Sequence, residues 1–199
     1  MQAIRSIIIF LTFLGSLSAA PSTAKRAQLY QLWNEQSIVG GVDVVDTQID
    51  RLKKALAKDP SDELARAFLG SSFALRAKHG WWGPTKLSDL KKGKKLLELA
   101  VQRAPQDPRV RLVRAAAYSR VPKKFGVRNT SISDFETLVR IADQGQKSDL
   151  TANERQAIYY FAAQLWTEEN RSAANLYQRC ISVSPNSAYG RKAKQALSR

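Results

Sequence analysis

One cysteine, Cys180, stands in a chain of 199 residues, so no internal disulfide can form and the fold rests on core packing. The only histidine, His79, is remote from it in sequence, and one of each is too few ligands for a tetrahedral zinc site. The same scarcity removes the histidine-dependent hydrolases, because no nucleophile motif accompanies His79. Neither a phosphate loop nor a dinucleotide fingerprint occurs. Glu168 and Glu169 are adjacent carboxylates, but they lie at a predicted helix start, where acidic side chains suit the helix dipole. The expectation is a protein that is not an enzyme and holds no metal or cofactor. Cys180 falls on an apolar helix face and reads as a buried structural thiol.

Long hydrophobic runs are also missing, with one exception. Residues 7–17 are almost unbrokenly apolar, Arg5 precedes them, and Ser18-Ala19-Ala20 follows. This is the three-part pattern of a secretory signal, and its apolar core falls well short of the roughly twenty residues that span a bilayer. Residues 1–24 are read as a signal peptide and 25–199 as one helical domain. Cleavage after Ala24, with Ser22 at the other small position, is the alternative to a cut before Pro21. Ala20 stands where a lipoprotein signal needs cysteine, so no lipid anchor is expected. The mature chain is expected to be periplasmic or secreted.

Acidic residues are few: 17 against 32 lysines and arginines, a net charge of +15. The excess is uneven. Residues 86–128 hold thirteen basic and three acidic side chains, and residues 171–199 hold six basic and none acidic. Such asymmetry favours an anionic partner.

What the chain has is helical periodicity interrupted by proline. Three apolar patterns run into Pro60, Pro105 and Pro185. A small residue stands five before each proline (Ala55, Ala100, Cys180) and a large apolar one eight before (Leu52, Leu97, Tyr177). Helices are predicted over 24–38, 43–58, 62–78, 87–103 and 108–120, then from Ser133 and Thr151, and finally over 168–183 and 187–197. On the first, Leu29, Leu32, Trp33 and Gln36 trace one face. Ser133 with Glu136, and Thr151 with Glu154, have the spacing of capping boxes. Long loops are expected over 79–84 and 121–132, and no strand.

This recurrence resembles the tetratricopeptide repeat, a helix pair of about 34 residues. Ala55 and Pro60 close one unit, and Leu69-Gly70 and Phe73 fall at the leucine, small and aromatic positions of the next first helix. Arg114, Ala115 and Tyr118 occupy the same places after Pro105, and Ala162 fits with a one-residue shift before Pro185. Gly93, Leu97 and Ala100, and later Ala173, Tyr177 and Cys180, match the second helix. The resemblance implies an all-α fold of stacked antiparallel helix pairs, about four, plus a C-terminal capping helix. It also implies non-catalytic binding of an extended protein or peptide segment in a concave groove. The prolines are not spaced by multiples of 34, so the two long loops make this a compact, loop-elaborated variant.

Trp81 and Trp82, between glycines, either plug the end of the stack or form an aromatic lip beside Lys86, Lys91, Lys92, Lys94 and Lys95. Phe125, between Lys123-Lys124 and Arg128, repeats that mixture in the second loop. With Arg109 and Arg120, these are the candidate partner-binding residues. The leading reading is a scaffold for a protein or peptide of the cell envelope, with no small-molecule substrate implied. The alternative is binding of an anionic polymer or membrane surface (acidic glycan, lipid head groups or nucleic acid) through residues 86–128.

Overall fold

The first amides of a helix have no partner within it, and this chain supplies acceptors at regular places. Asp62, Asp107, Thr151 and Ser187 each accept a hydrogen bond from an amide two or three residues on, at 2.8, 2.8, 3.2 and 2.9 Å. Four residues after each cap stands an arginine: Arg66, Arg111, Arg155 and Arg191. Each arginine folds back onto a carbonyl of the preceding turn. Arg66 donates to Pro60 at 2.6 Å, Arg111 to Pro105 at 2.9 Å, Arg155 to Leu150 at 2.9 Å, and Arg191 to Asn186. Cap and arginine together latch one turn four times.

In the computed structural model, which describes residues 23–79 and 83–198, these latches open every second helix after the first pair. The order is α1 (Thr23–Val39), α2 (Val42–Lys58), α3 (Glu63–His79), α4 (Gly83–Arg103), α5 (Pro108–Ser119), α6 (Arg128–Ala142), α7 (Ala152–Glu168), α8 (Ala174–Val183) and α9 (Ala188–Leu197). Short 3-10 turns occupy Lys123–Phe125 and Gly145–Lys147. The described residues contain no strand. None of their helices is long and apolar enough to cross a membrane. The expected signal peptide lies, but for its last two residues, outside the described residues, as do Trp81 and Trp82.

Consecutive helices pack as antiparallel pairs, and each odd-numbered helix also packs on the next odd one. Even-numbered helices make substantial contacts only with odd ones. The even layer therefore splays and the odd layer closes up, so the stack curves with the odd helices on its inner side. Small residues set the closest approach. Gly70 of α3 and Gly93 of α4 meet so tightly that a Cβ on Gly93 would lie 2.7 Å from the Gly70 carbonyl oxygen. At the next pair, Ser131 of α6 donates to the Ala115 carbonyl of α5 at 2.8 Å.

Two apolar clusters run along the stack. One joins α1 to α5 around Val45, Leu52, Leu97 and Val110; the other joins α5 to α9 around Phe135, Leu138, Ile158 and Cys180. Helix α5 serves both, with Val110 and Tyr118 in the first and Ala115 in the second.

Several expectations change. Leu29, Leu32 and Gln36 of α1 are exposed, whereas Tyr30 and Ser37 are buried. An end helix has a neighbour on one side only, so it cannot bury every apolar residue it carries. Helix α6 starts at Arg128, not at Ser133, which is exposed within the helix. Val127 is buried there, and Arg128 reaches back to the Ser119 carbonyl at 2.7 Å. Gly126, at φ 72°, makes the turn just before it. Helix α7 runs on to Glu168, and α8 begins only at Ala174. Asn170 takes a left-handed φ of 55° between them. The Thr151–Glu154 capping box forms in both directions.

Candidate functional site

The inner curve holds a groove whose described lining comes from odd helices and from Arg120, the residue that follows α5. Ala27, Asn34 and Glu35 come from α1, Leu64 and Phe68 from α3, and Leu112 and Val113 from α5. Phe161 comes from α7 and Tyr189 from α9. A shared register places part of this lining on α3 and α5. Leu64, Phe68 and Ser71 stand two, six and nine residues after their cap, as Arg109, Val113 and Ala116 do after theirs. The floor is apolar and holds a cavity of about 110 Å³, enough for one apolar side chain.

Two arginines border this groove in different states. Arg109 is buried and fully engaged: it donates to Glu154 at 2.6 Å and to Asp149 at 2.8 Å. Arg120 has no carboxylate within 4.0 Å among the described residues. Its guanidinium lies 5.1 Å from the centre of the Phe161 ring and donates to the Ala116 carbonyl at 2.9 Å. Protein crowding lowers its pKa, opposed by Tyr189 and Glu168. Burial likewise pushes the Tyr189 phenol up to about 12, with Glu35 from the far end of the chain adding to the shift. Beyond Arg120 and Phe161 the groove opens into a polar cleft of about 460 Å³, bordered by Arg128, Gln164 and Glu168.

A second cleft, of about 170 Å³, lies at one end of the stack. Odd helices run the same way, so the last turns of odd helices and the first turns of even ones lie at that end. Leu87, Leu90, Lys91 and Lys94 of α4 there face Val121, Phe125 and Val127 of the second loop. The same end is tied to α7 by ion pairs: Lys123 to Glu169 at 3.0 Å and Arg128 to Glu168 at 3.0 Å.

The candidate residues thus separate rather than form one patch. Arg109 and Arg120 lie on the groove, and Lys91, Lys94 and Phe125 on the end cleft. Lys124 sits over the Phe125 ring, 5.5 Å from its centre. Lys92 lies over Phe73 at 5.8 Å, Lys95 is exposed, and Lys86 is half-buried. Lys123 and Arg128 are ion-paired. Reading for charge alone missed the uncharged groove residues Phe68, Leu112, Phe161 and Tyr189; counting from the helix caps would have found the groove register.

The thiol is not part of either site. Cys180 is fully buried, its Sγ 3.6 Å from the Gln156 carbonyl oxygen, and burial pushes its pKa up to about 11. Native protein at pH 8 is therefore expected to resist iodoacetamide and to be alkylated once unfolded. Rapid native labelling, read by intact mass, is the contrary result.

No protein-family model, curated protein sequence or solved structure matches the chain.

Proposed function

We propose that the chain is an exported, non-catalytic scaffold that holds an extended protein or peptide segment along its inner groove. The observation that carries this reading is the groove itself. All five odd helices contribute to one apolar trough, whose border carries a cation, Arg120, without an ion-pair partner among the described residues. An apolar side chain of the partner fills the trough, and a carboxylate or backbone carbonyl meets Arg120. Likeness to tetratricopeptide arrays favours the same mode.

The alternative, an anionic polymer on residues 86–128, draws on fewer charges than the sequence holds. Arg103, Arg109, Arg111, Arg114, Lys123 and Arg128 are each ion-paired to acidic residues elsewhere in the fold. Lys91, Lys92, Lys94 and Lys95 stay exposed, without a carboxylate within 4.0 Å among the described residues. With Lys86 and Lys124, likewise without a carboxylate within 4.0 Å among the described residues, this face of α4 carries the polymer reading.

A photo-crosslinking residue placed at Leu112, and separately at Lys92, distinguishes the two in envelope extracts. The scaffold reading expects a discrete partner adduct from position 112 that persists in high salt. Arg120→Glu should weaken it about tenfold or more, with helicity by circular dichroism unchanged. Adducts only from position 92, lost with salt and with Lys-to-Glu changes at 91, 92, 94 and 95, favour the polymer instead. No adduct from position 112 removes the scaffold reading.

A further inference from the structure

The geometry points to a second ligand site: the end cleft between α4 and residues 121–127 takes a free single-chain anionic amphiphile, its alkyl chain inside and its acid group on Lys91 and Lys94. This goes beyond the scaffold reading and does not depend on it, because the cleft shares no lining residue with the inner groove among the described residues.

The interior is hydrocarbon. Leu87, Leu90, Leu97, Val121, Phe125 and Val127 supply most of its wall. Tyr118 also borders it, but its hydroxyl donates to Glu98 at 2.8 Å and so is already satisfied. The volume of about 170 Å³ is close to that of a roughly 150 Å³ apolar cavity known to take benzene. That suffices for a ring or a short run of methylenes, not for two acyl chains.

The rim is cationic and uncompensated. Lys91 and Lys94 are one helical turn apart and exposed, so both ammonium groups stand at the same opening. Neither has a carboxylate within 4.0 Å among the described residues. Lys124 adds a third positive charge beside Phe125. The nearby acids of α4 are taken: Asp89 is buried against Arg76, and Glu98 accepts from Arg114 and Tyr118. An anion at this rim therefore meets no repulsion from an unpaired acid of α4 and gains charge-assisted hydrogen bonds.

The apolar surface is recessed rather than presented. Leu87, 46% exposed, is the one large apolar residue of the cleft's described lining that stands out into solvent; Val39 and Val44, also exposed, flank the α1–α2 turn and do not line it. A membrane-inserting face needs a contiguous protruding patch. A recess suits a chain that comes to it from solution.

Calorimetric titration of the purified protein with decanoate, decanol and decyltrimethylammonium, below their micelle concentrations, tests this. Decanoate is expected to bind one to one, and the ammonium amphiphile about tenfold more weakly or worse. From hexanoate upward, each methylene should tighten binding about fourfold until the cavity is full. Lys91→Glu with Lys94→Glu should cost decanoate about tenfold, leaving decanol binding and Tm unchanged. Leu90→Trp should fill the cleft and remove both ligands. The proposal is overturned if decanoate gives no saturable heat or binds regardless of charge at positions 91 and 94. It also fails if phosphatidylglycerol vesicles recruit the protein through those lysines while decanoate does not bind.

Discussion

Asp134→Ala is expected to lower the free energy of unfolding by about 3–5 kcal/mol, the usual cost of removing one partner from a buried ion pair. Asp134 is 2% exposed. It accepts from Arg114 Nε at 2.8 Å, from Arg114 Nη2 at 2.9 Å and from Arg111 Nη1 at 2.9 Å. Burial alone would lower the pKa of Arg114, but the Asp134 hydrogen bonds and the charges of Asp134 and Glu98 together outweigh it, and the net shift is upward. Removing the carboxylate leaves a guanidinium at 9% exposure with only Glu98, itself partly in solvent, to face. The loss also unfastens Arg111, which latches the start of α5 through Pro105. Urea denaturation followed by circular dichroism gives the number. A loss below about 1 kcal/mol would mean the cluster is dispensable. The double change Arg114→Leu with Asp134→Leu should recover most of the stability, because an apolar pair carries no uncompensated charge.

Gly93→Ala should destabilise by up to about 2 kcal/mol, although alanine is the better helix former. Propensity favours the change by about 1 kcal/mol. Against it, the new Cβ lies 2.7 Å from the Gly70 carbonyl oxygen, 3.3 Å from the Ala74 amide nitrogen and 3.4 Å from the Phe73 Cβ. Those obstacles are mainly backbone of an adjacent rod, so relief requires moving α3 from α4, and overpacking of this kind costs about 1–3 kcal/mol or more. The clash wins. Gly83→Ala, where a Cβ meets nothing within 4 Å among the described residues, is the control and should be neutral or better. Equal behaviour of the two variants in thermal melts would refute a close α3–α4 crossing.

The helices and their pairing were legible because proline and small residues mark them locally: Pro60, Gly70, Gly93 and Pro105 do in three dimensions what their spacing suggested. The repeat itself was more regular than the prolines indicated. Asp149 stands two before the Thr151 cap, where the other latched turns have Pro60, Pro105 and Pro185. Following proline therefore skipped one turn, whereas following the cap and its arginine does not. The site was less legible for a different reason. Charge counted along residues 86–128 ignores Asp134, Asp149, Glu154, Glu168 and Glu169, which come from later in the chain and neutralise much of it. Phe125 and Lys91 meet because two odd-to-even turns share one end of the stack, a consequence of topology that no window of sequence contains.

Glu35 and Tyr189 border the same trough although one belongs to the first helix and the other to the last. The spiral thus comes round nearly far enough to face its own beginning. On the scaffold reading, a strand lying inside would be clasped from opposite flanks, and withdrawing it sideways would mean prising the two ends of the coil apart. Curvature of this kind would act on release more than on capture, lengthening the residence of whatever the groove held.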